Sequence, residues 1–85
     1  MVKRTRAFIR IVAQLMADPD KAWYGYDLMK ASRCLSGTLY VNLGRMEEAG
    51  WIEGEFEIRG DPDKPMRRVY RVTDLGRVAM ATPDG

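Results

Sequence analysis

The chain contains no histidine and only one cysteine, and these two absences exclude several kinds of chemistry. Histidine is the side chain that most often acts as a general base near neutral pH, binds a metal or activates a nucleophile. Cys34, standing alone, can form neither an intrachain disulfide nor a thiolate cluster for zinc. The sequence therefore predicts a protein that is not an enzyme and that has no metal site and no cofactor.

Long apolar runs are also missing, since no stretch approaches the roughly 20 apolar residues that a membrane-spanning helix requires. Lys3 and Arg4 make the N-terminus basic, but Arg10 and Gln14 interrupt the apolar segment that follows, unlike the core of a signal peptide. We therefore expect a cytoplasmic protein. Its 85 residues, 46% of them hydrophobic and 31% charged, are enough for one small globular domain over 1–85.

The net charge of +2 conceals an uneven distribution of charge along the chain. Residues 1–45 hold eight basic side chains against three acidic ones, whereas residues 46–58 hold five glutamates and no basic residue. Residues 59–72 are basic again, with five basic and two acidic side chains. Because the distribution of charge matters more than its total for nucleic-acid binding, the two basic regions favour a nucleic-acid partner.

Apolar residues at helical spacing predict two helices in the first part of the chain. The first covers residues 6–17 and ends at Asp18, because a residue that precedes proline avoids helical backbone angles. A turn follows, then a short extended piece at residues 23–24. The second helix is expected over residues 26–31.

A third helix is predicted over residues 36–49, after a short connection at residues 32–35. Ser36 is the expected N-cap, and Gly50 provides the usual glycine after the last helical turn. Apolar residues at i, i+4 and i+7 predict a buried stripe along this helix. The stripe consists of Leu39, Leu43 and Met46.

A β-hairpin and a short closing helix are predicted for the second half of the chain. Residues 51–58 alternate apolar and acidic side chains, as a half-buried strand does, and a proline-rich loop joins them to a second strand over 67–72. Thr73 should cap a last helix, and residues 82–85 should fray. The side chains expected to face inward are Ile52, Phe56 and Ile58 on the first strand and Leu75, Val78 and Ala79 on the helix.

Three helices followed by a hairpin are the layout of a winged helix-turn-helix, an α+β fold in which the hairpin forms the wing. The second and third helices lie close together in the sequence, as the helix-turn-helix requires. We therefore expect three helices, a two-stranded wing and a short C-terminal helix, preceded by a basic arm over residues 1–5.

The outer face of the third helix carries small and polar residues that a helix built only to fill a core would not need. Gly44 in mid-helix costs about 1 kcal/mol relative to alanine, which the close approach of another surface would explain. Arg45 and Asn42 have side chains that bond bidentately to guanine and adenine edges, whereas Thr38 and Tyr40 suit phosphate oxygens. An ordinary solvated face is the alternative, which the helix-turn-helix context disfavours. The predicted DNA contacts of this helix are Ser36, Gly37, Thr38, Tyr40, Asn42 and Arg45.

Basic side chains at the tip and root of the hairpin predict a second contact with nucleic acid. A basic wing over residues 59–68 can lie on phosphates or reach across a minor groove. The N-terminal arm could do the same, and an ordinary charged turn, diluted by Asp61 and Asp63, is the alternative. The predicted contacts are Arg59, Lys64, Arg67 and Arg68 in the wing and Lys3 and Arg4 in the arm.

Three segments of the chain, taken in order, resemble the PadR family of winged-helix transcriptional regulators. They are YGYDLMKAS, SGTLYVNLGRMEEAGWIE and RRVYRVTDLGR, and they span residues 24–77. The resemblance implies a homodimer that binds double-stranded operator DNA, usually to repress, with the GTLY helix in the major groove. The contacts that it implies are Thr38, Tyr40 and Arg45, with Ser36 and Asn42 beside them.

The chain departs from the family pattern in two ways. Relatives often have proline where Ser36 and Val41 stand, and a basic residue where Gly44 stands. Many relatives also continue into a long C-terminal helix or domain that dimerises, whereas this sequence stops shortly after Thr73. We therefore expect a dimer built from exposed apolar residues of the first and last helices. The predicted dimer contacts are Phe8, Val12, Leu75 and Val78.

Two functions of other classes stay open at this point. An apolar pocket lined by Trp23, Trp51 and Tyr26 would make the protein a sensor of an aromatic compound, although in so small a domain tryptophans that anchor the core are the favoured interpretation. A winged helix that binds another protein as an adaptor is the second. Quenching of tryptophan fluorescence by aromatic compounds would favour the first alternative, and a lack of salt-sensitive DNA binding would favour the second.

Overall fold

Four helices and a small antiparallel sheet make up the described part of the chain. The structure is a computed structural model, and it describes residues 5–57 and 67–81. Within these ranges the predicted winged helix-turn-helix is confirmed, with one strand more than the predicted two-stranded wing. The elements are α1 (Arg6–Ala17), β1 (Trp23–Tyr24), α2 (Gly25–Ser32), α3 (Ser36–Glu48), β2 (Ile52–Glu57), β3 (Arg67–Val72) and α4 (Asp74–Ala81).

Helix α1 begins and ends where the sequence predicted. At its N-terminus the hydroxyl oxygen of Thr5 accepts a hydrogen bond from the N–H of Phe8 (3.1 Å), and Asp18 follows its last turn. Phe8 is only 4% exposed and belongs to the core of the domain, so its prediction as a dimer contact is wrong. The buried face of α1 consists of Phe8, Ile11 and Leu15.

A tight turn joins α2 to α3. Arg33 adopts left-handed backbone angles (φ 57°) after the last turn of α2, and the N–H of Cys34 donates to the carbonyl of Met29 (3.2 Å). Arg10 of α1 donates from Nε to the carbonyl of Ser32 (2.9 Å), which ties the end of α2 to α1. Helix α2 extends one residue beyond the predicted range at each end.

The ends of α3 and α4 test three predicted caps. Leu35, with extended backbone angles, is the N-cap of α3, and Ser36 is already helical, so the prediction of Ser36 as N-cap is wrong. Gly50 follows the end of α3, as predicted. Its φ of 79° is an angle that glycine adopts without strain, so the chain can turn away from the helix here. The hydroxyl oxygen of Thr73 accepts the N–H of Gly76 (2.9 Å), which confirms the cap of α4.

The sheet has three antiparallel strands in the order β1-β3-β2. The pairing of β2 with β3 confirms the predicted hairpin, and the short extended piece that forms β1 pairs with the other edge of β3. Tyr70 lies in the centre of the sheet, opposite Trp23 on one side and Gly54 on the other. The root of the hairpin is therefore anchored to the start of α2 through β1.

Three apolar side chains that the sequence predicted to face inward are exposed instead. Phe56 is 57% exposed because it stands near the outer end of β2, beyond the part of the strand that the core covers. Leu75 and Val78 are 56% and 69% exposed on α4, which packs against α1 with its other residues. Ile58 and residues 82–85, which carry two further predictions, lie outside the described residues.

The core lies where the first three helices meet the sheet, and it fixes which face of α3 is turned inward. The predicted stripe of α3 is buried, so the opposite face of that helix is left for contacts. None of the helices in the described ranges is long and apolar enough to cross a bilayer. The core residues are Phe8, Ile11, Leu15, Trp23, Leu28, Leu39, Leu43, Met46, Ile52 and Tyr70.

Candidate nucleic-acid interface

The face of α3 that points away from the core is open and low in relief. Thr38, Val41 and Arg45 are exposed on it. A β-carbon added to Gly37 or Gly44 would meet no atom within 4 Å, so the backbone of α3 is uncovered at both positions. Another surface can therefore approach the helix backbone closely here.

A groove of about 370 Å³ lies between this face and the N-terminus of α1. The side chain of Arg45 lines it and makes no hydrogen bond or ion pair with another described residue. Four predicted contacts of α3 thus share one concave surface with the residues that cap and begin α1. The lining residues are Thr5, Ala7, Gly37, Thr38, Val41, Asn42 and Arg45.

Asn42 lines the same groove, but its side chain is buried within the domain. It is 6% exposed, and its side-chain amide donates from Nδ2 to the carbonyl of Thr38 (2.8 Å) one turn earlier. A bidentate contact with adenine needs the amide oxygen and nitrogen to be presented outward together. This arrangement contradicts the predicted contact of Asn42 with an adenine edge, and it makes Asn42 a residue that stabilises α3.

Tyr40 lies on the other flank of α3, where it crosses the first turn of α2. A β-carbon on Gly25 would lie 2.6 Å from the hydroxyl oxygen of Tyr40, so the two helices approach more closely here than alanine would allow. Tyr40 is still 47% exposed. It therefore combines a packing role between the two helices with a side chain that is about half exposed.

A second cavity, of about 490 Å³, opens between the first turn of α2, Tyr40 and the hairpin. Aromatic rings form most of its wall, and Tyr26 is 62% exposed beside it, with Nζ of Lys30 5.4 Å from the centre of its ring. Neither tryptophan belongs to this wall. The lining residues are Tyr24, Gly25, Tyr26, Asp27, Tyr40, Phe56 and Arg68.

Trp23 is part of the core and Trp51 packs against it, which contradicts the pocket predicted from Trp23, Trp51 and Tyr26. Trp23 is 9% exposed, and Nζ of Lys21 lies 3.8 Å from the centre of its ring. Trp51 packs against Phe8 with ring centres 6.1 Å apart. Tyr26 lies instead on the wall of the cavity next to the hairpin. The described residues also include no group of His, Cys, Asp or Glu side chains that could hold a metal ion.

The described part of β3 is joined to α3 by an ion pair near the outer end of the strand. Nη2 of Arg68 on β3 donates to Oε2 of Glu47 on α3 at 2.7 Å, with 35% and 29% of the two side chains exposed. The Glu47 carboxylate raises the pKa of the Arg68 guanidinium above its ordinary value. Arg68 was predicted to contact the DNA backbone, and in this structure its charge is already compensated within the protein.

The guanidinium of Arg68 lies flat across β2, and glycine at position 54 makes room for it. A β-carbon on Gly54 would lie 2.7 Å from Nη2 of Arg68. The same group lies 5.3 Å from the ring centre of Phe56 and 5.5 Å from that of Tyr70. Two aromatic rings and one carboxylate therefore hold Arg68 in place between the hairpin and α3.

Ser36, the remaining predicted contact of α3, is exposed at the start of that helix.

Most of the predicted basic contacts other than Arg45 and Arg68 lie outside the residues that the structure describes. Arg67 is described only through its backbone, which pairs with Glu57 at the outer end of the hairpin. The predicted contacts outside the described residues are Lys3, Arg4, Arg59 and Lys64.

The family to which the chain belongs follows from a comparison with family models. Residues 14–82 match the model described as the Transcriptional regulator PadR-like family. The chain belongs to this family. The resemblance seen in the sequence is thereby confirmed, and the match covers α2, α3, both strands of the hairpin and α4.

Solved structures of PadR regulators share the fold of this PadR-like chain. A PadR family regulator from Clostridium difficile R20291 is 27% identical, with a TM-score of 0.73 over 91% of this chain and 81% of that one. A PadR family regulator from Eggerthella lenta is 28% identical, with a TM-score of 0.68 over 84% of this chain and 65% of that one. Among curated protein sequences, no match to the chain was found.

The structure of Bacillus subtilis PadR in complex with operator DNA is also similar to this PadR-like chain. It has a TM-score of 0.70 at 20% identity, over 87% of this chain and 44% of that one. At this identity the similarity shows the fold alone. The chain thus spans less than half the length of the PadR protein that was solved with DNA.

Sequence reasoning missed the residues that join the wing of this PadR-like protein to α3. Glu47 was placed only in an acidic segment, and Gly54 was not distinguished from other glycines. No local pattern connects Glu47 with Arg68, which is 21 residues away along the chain. The available signal was weak: Gly54 interrupts a strand of otherwise large side chains, which often marks the close approach of another group.

Proposed function

We propose that this PadR-like protein is a transcriptional repressor that binds double-stranded DNA sequence-specifically as a homodimer. In this proposal α3 lies in the major groove, and the wing over residues 59–68 lies on the backbone or in the minor groove. The observation that carries the proposal is the outer face of α3, where Gly37 and Gly44 leave the backbone uncovered around exposed polar side chains. The winged-helix fold, shared with a PadR protein solved on operator DNA, supports it.

The side chains on this face suit different parts of a duplex. Arg45 is exposed, and its guanidinium can donate two hydrogen bonds to O6 and N7 of guanine. Thr38 and Ser36, in the first turn of α3, are placed to donate to phosphate oxygens, which a helix N-terminus also favours. Tyr40 is placed for a phosphate on the side of α2. In this assignment Arg45 supplies sequence specificity, and the hydroxyl groups of Ser36, Thr38 and Tyr40 fix the position of α3 on the duplex.

The ion pair between Glu47 and Arg68 holds β3, from which the proposed wing extends, beside the proposed recognition helix. Because Glu47 holds Arg68 near the outer end of β3, we assign it a positioning role instead of the predicted phosphate contact. The phosphate contacts of the wing then fall to Arg59, Lys64 and Arg67. Two exposed glutamates, Glu53 and Glu55, lie on the face of β2 opposite the one that Arg68 crosses.

The proposed dimer uses the apolar residues exposed on α4. Leu75 and Val78 are three residues apart, so they lie on one side of the helix, and Val12 is half-buried on α1, against which α4 packs. Packing of these side chains against a second copy would remove them from water. A dimer would place two recognition helices about 34 Å apart, one turn of the duplex.

Light scattering during size-exclusion chromatography tests the dimer. Val78→Asp should give a monomer, because it places a charge in the proposed interface. Val41→Asp is the matched control, since it makes the same change at an exposed helical valine on α3 and should leave the dimer intact. A dimer that survives Val78→Asp would contradict this interface.

Fluorescence anisotropy with labelled duplexes at several salt concentrations tests DNA binding. A random-sequence duplex should bind with an affinity that falls steeply with salt, and duplexes selected from a random pool should bind more tightly. Arg45→Ala should lower the affinity for the selected sequence by about 1–3 kcal/mol and reduce specificity at one position. Arg77→Ala on α4 is the control, because it removes the same side chain away from α3.

Two results would change the conclusion. If no duplex binds even at low salt, the protein-binding alternative replaces DNA binding. If Arg45→Ala weakens all sequences equally, Arg45 contacts a phosphate and not a base. Repression itself is tested with a reporter gene that carries the selected sequence across its promoter, where expression should fall when the protein is present.

A further inference from the structure

Val41 is a large apolar side chain at the centre of the exposed face of α3. It is 54% exposed, and its neighbours on the helix surface, at three and four residues before and after it, are Gly37, Thr38, Gly44 and Arg45. The two glycines offer no side chain to cover it. The side chain of Val41 therefore projects from the exposed face of α3, with uncovered helix backbone at Gly37 and Gly44 on either side of it.

The fold of the subunit does not account for valine at this position. Val41 lies on the side of α3 opposite the buried residues and is not part of the core. A branched side chain also loses rotamer freedom in a helix, so an exposed valine is a slightly unfavourable choice there. It lies on α3, whereas the proposed dimer contacts are on α1 and α4. A role in contact with an external surface explains its presence.

The chemistry of the major groove leaves one partner for such a side chain. Base edges there present hydrogen-bond donors and acceptors, and the C5-methyl group of thymine is the apolar exception. Valine carries only methyl groups, so it can distinguish bases there only through that contact. The inference rests on the proposed function, since it requires α3 to lie in the major groove.

We infer that Val41 determines specificity by packing against the C5-methyl group of a thymine. Close approach is possible because Gly37 and Gly44 leave the helix backbone uncovered on either side. Arg45 lies one turn further along α3, about 6 Å along the helix axis, which corresponds to about two base-pair steps of 3.4 Å. The thymine that Val41 contacts therefore lies within about two base pairs of the guanine assigned to Arg45.

The experiment replaces single thymines by deoxyuridine in the duplex selected by the wild-type protein. This change removes one methyl group and leaves every hydrogen-bonding group of the base pair in place. Affinities are measured by fluorescence anisotropy for wild type, Val41→Ala and Val41→Thr, the last of which keeps the shape and one methyl group. Circular dichroism checks that the variants fold, which an exposed position should allow.

The wild-type protein should lose about 3- to 10-fold in affinity at one thymine in each half-site, as expected for loss of one buried methyl contact. Val41→Ala should bind the thymine duplex less tightly and should lose less than about 2-fold on the same replacement. Val41→Thr should fall between the two. The effect of removing the thymine methyl group should thus depend on the side chain at position 41. Such non-additive effects indicate a direct contact between that methyl group and Val41.

Failure of this inference can be told apart from failure of DNA binding. If the selected duplex binds tightly but deoxyuridine is tolerated at every position, the contact of Val41 with thymine is wrong and the proposed function stands. The same holds if the replacement weakens wild type and Val41→Ala equally. If no sequence is enriched and no duplex binds, the proposed function fails and the role of Val41 fails with it.

Discussion

Glu47 on α3 and Arg68 on β3 form an ion pair with 2.7 Å between Oε2 and Nη2, and this pair joins the candidate recognition helix to the hairpin near the outer end of β3. Both side chains are about one third exposed, so water screens their attraction only in part. Arg68 also lies close to the rings of Phe56 and Tyr70. Arg68 thus adds a polar contact between the hairpin and α3 to the apolar contacts that Ile52 and Tyr70 make in the core.

A double-mutant cycle with Glu47→Gln and Arg68→Gln should give a coupling energy of about 0.5–1 kcal/mol, the upper range for a partly exposed pair. Urea unfolding of the four proteins measures it. Arg71 on β3 and Glu55 on β2 form a more exposed pair, with 54% and 65% of their side chains accessible. The same cycle at that control pair should give a smaller value, and equal values would show that the contact of Arg68 has no special geometry.

Gly54→Ala should abolish the coupling between Glu47 and Arg68 with little change in overall stability. The added methyl group would lie 2.7 Å from Nη2 of Arg68, so the guanidinium must move off the strand. The movement itself costs little, because the displaced atoms are the end of a flexible side chain. The double-mutant cycle repeated in the Gly54→Ala background measures the effect. An unchanged coupling energy would mean that Arg68 does not lie across Gly54.

Gly44→Ala should stabilise the protein by about 0.5–1 kcal/mol and weaken its binding to DNA. Nothing lies within 4 Å of the added β-carbon, and alanine is the better helix former, so unfolding becomes less favourable. The same methyl group would stand between the helix backbone and the duplex. Thermal unfolding and anisotropy measure the two effects. A variant that is both more stable and equally tight on DNA would place Gly44 away from the interface.

Gly25→Ala should destabilise the protein by about 1–3 kcal/mol, because the new methyl group overlaps the ring and hydroxyl group of Tyr40. The substitution Tyr40→Ala removes the overlapping atoms. In the double variant, Gly25→Ala should therefore cost much less than it does alone. Urea unfolding of the four proteins measures this difference. If Gly25→Ala costs the same with and without Tyr40, the close approach of α2 to α3 is not where the structure places it.

Stability should fall above about pH 10 partly because of Tyr70. Burial raises the pKa of the Tyr70 phenol above its ordinary value of 10.0, although Arg68 acts in the opposite direction. The folded protein therefore favours the neutral phenol more than the unfolded chain does. The stability from this preference is complete below about pH 10 and is lost as the pH rises through the raised pKa.

Urea unfolding between about pH 9 and pH 11 measures the contribution of Tyr70, with Tyr70→Phe as the matched variant. The free energy of unfolding should fall less steeply with pH in the variant than in the wild type. Identical slopes would show that Tyr70 titrates in the same way in the folded and unfolded states.

The helices and strands were predictable because their signals are local. The spacing of Leu39, Leu43 and Met46 predicted the buried side of α3, and the residues that follow α1 and α3 predicted where both helices end. The cap of α4 at Thr73 was equally visible, since the donor of its hydrogen bond is only three residues away. In each case the interacting groups lie within one or two turns of one another, so sequence order places them together.

The candidate site was predictable only in part. Thr38 and Arg45 are exposed on α3 as expected, but Asn42, equally polar and only three residues before Arg45, is buried and bonded to the backbone. Helical spacing alone placed Asn42 on the flank of the exposed face. Whether a flanking side chain is covered depends on the neighbouring helix, and here the N-terminus of α1 lies against that side.

The sequence by itself determined the order of elements, the inward side of α3 and the family, because periodicity, caps and motifs are properties of neighbouring residues. Tertiary structure alone decided that Phe8 is buried while Phe56 is exposed, although both occupy apolar positions of regular elements. It also decided that Arg68 pairs with Glu47. The physical reason is that burial and ion pairing depend on which distant surfaces meet, and those surfaces come together only when the chain packs.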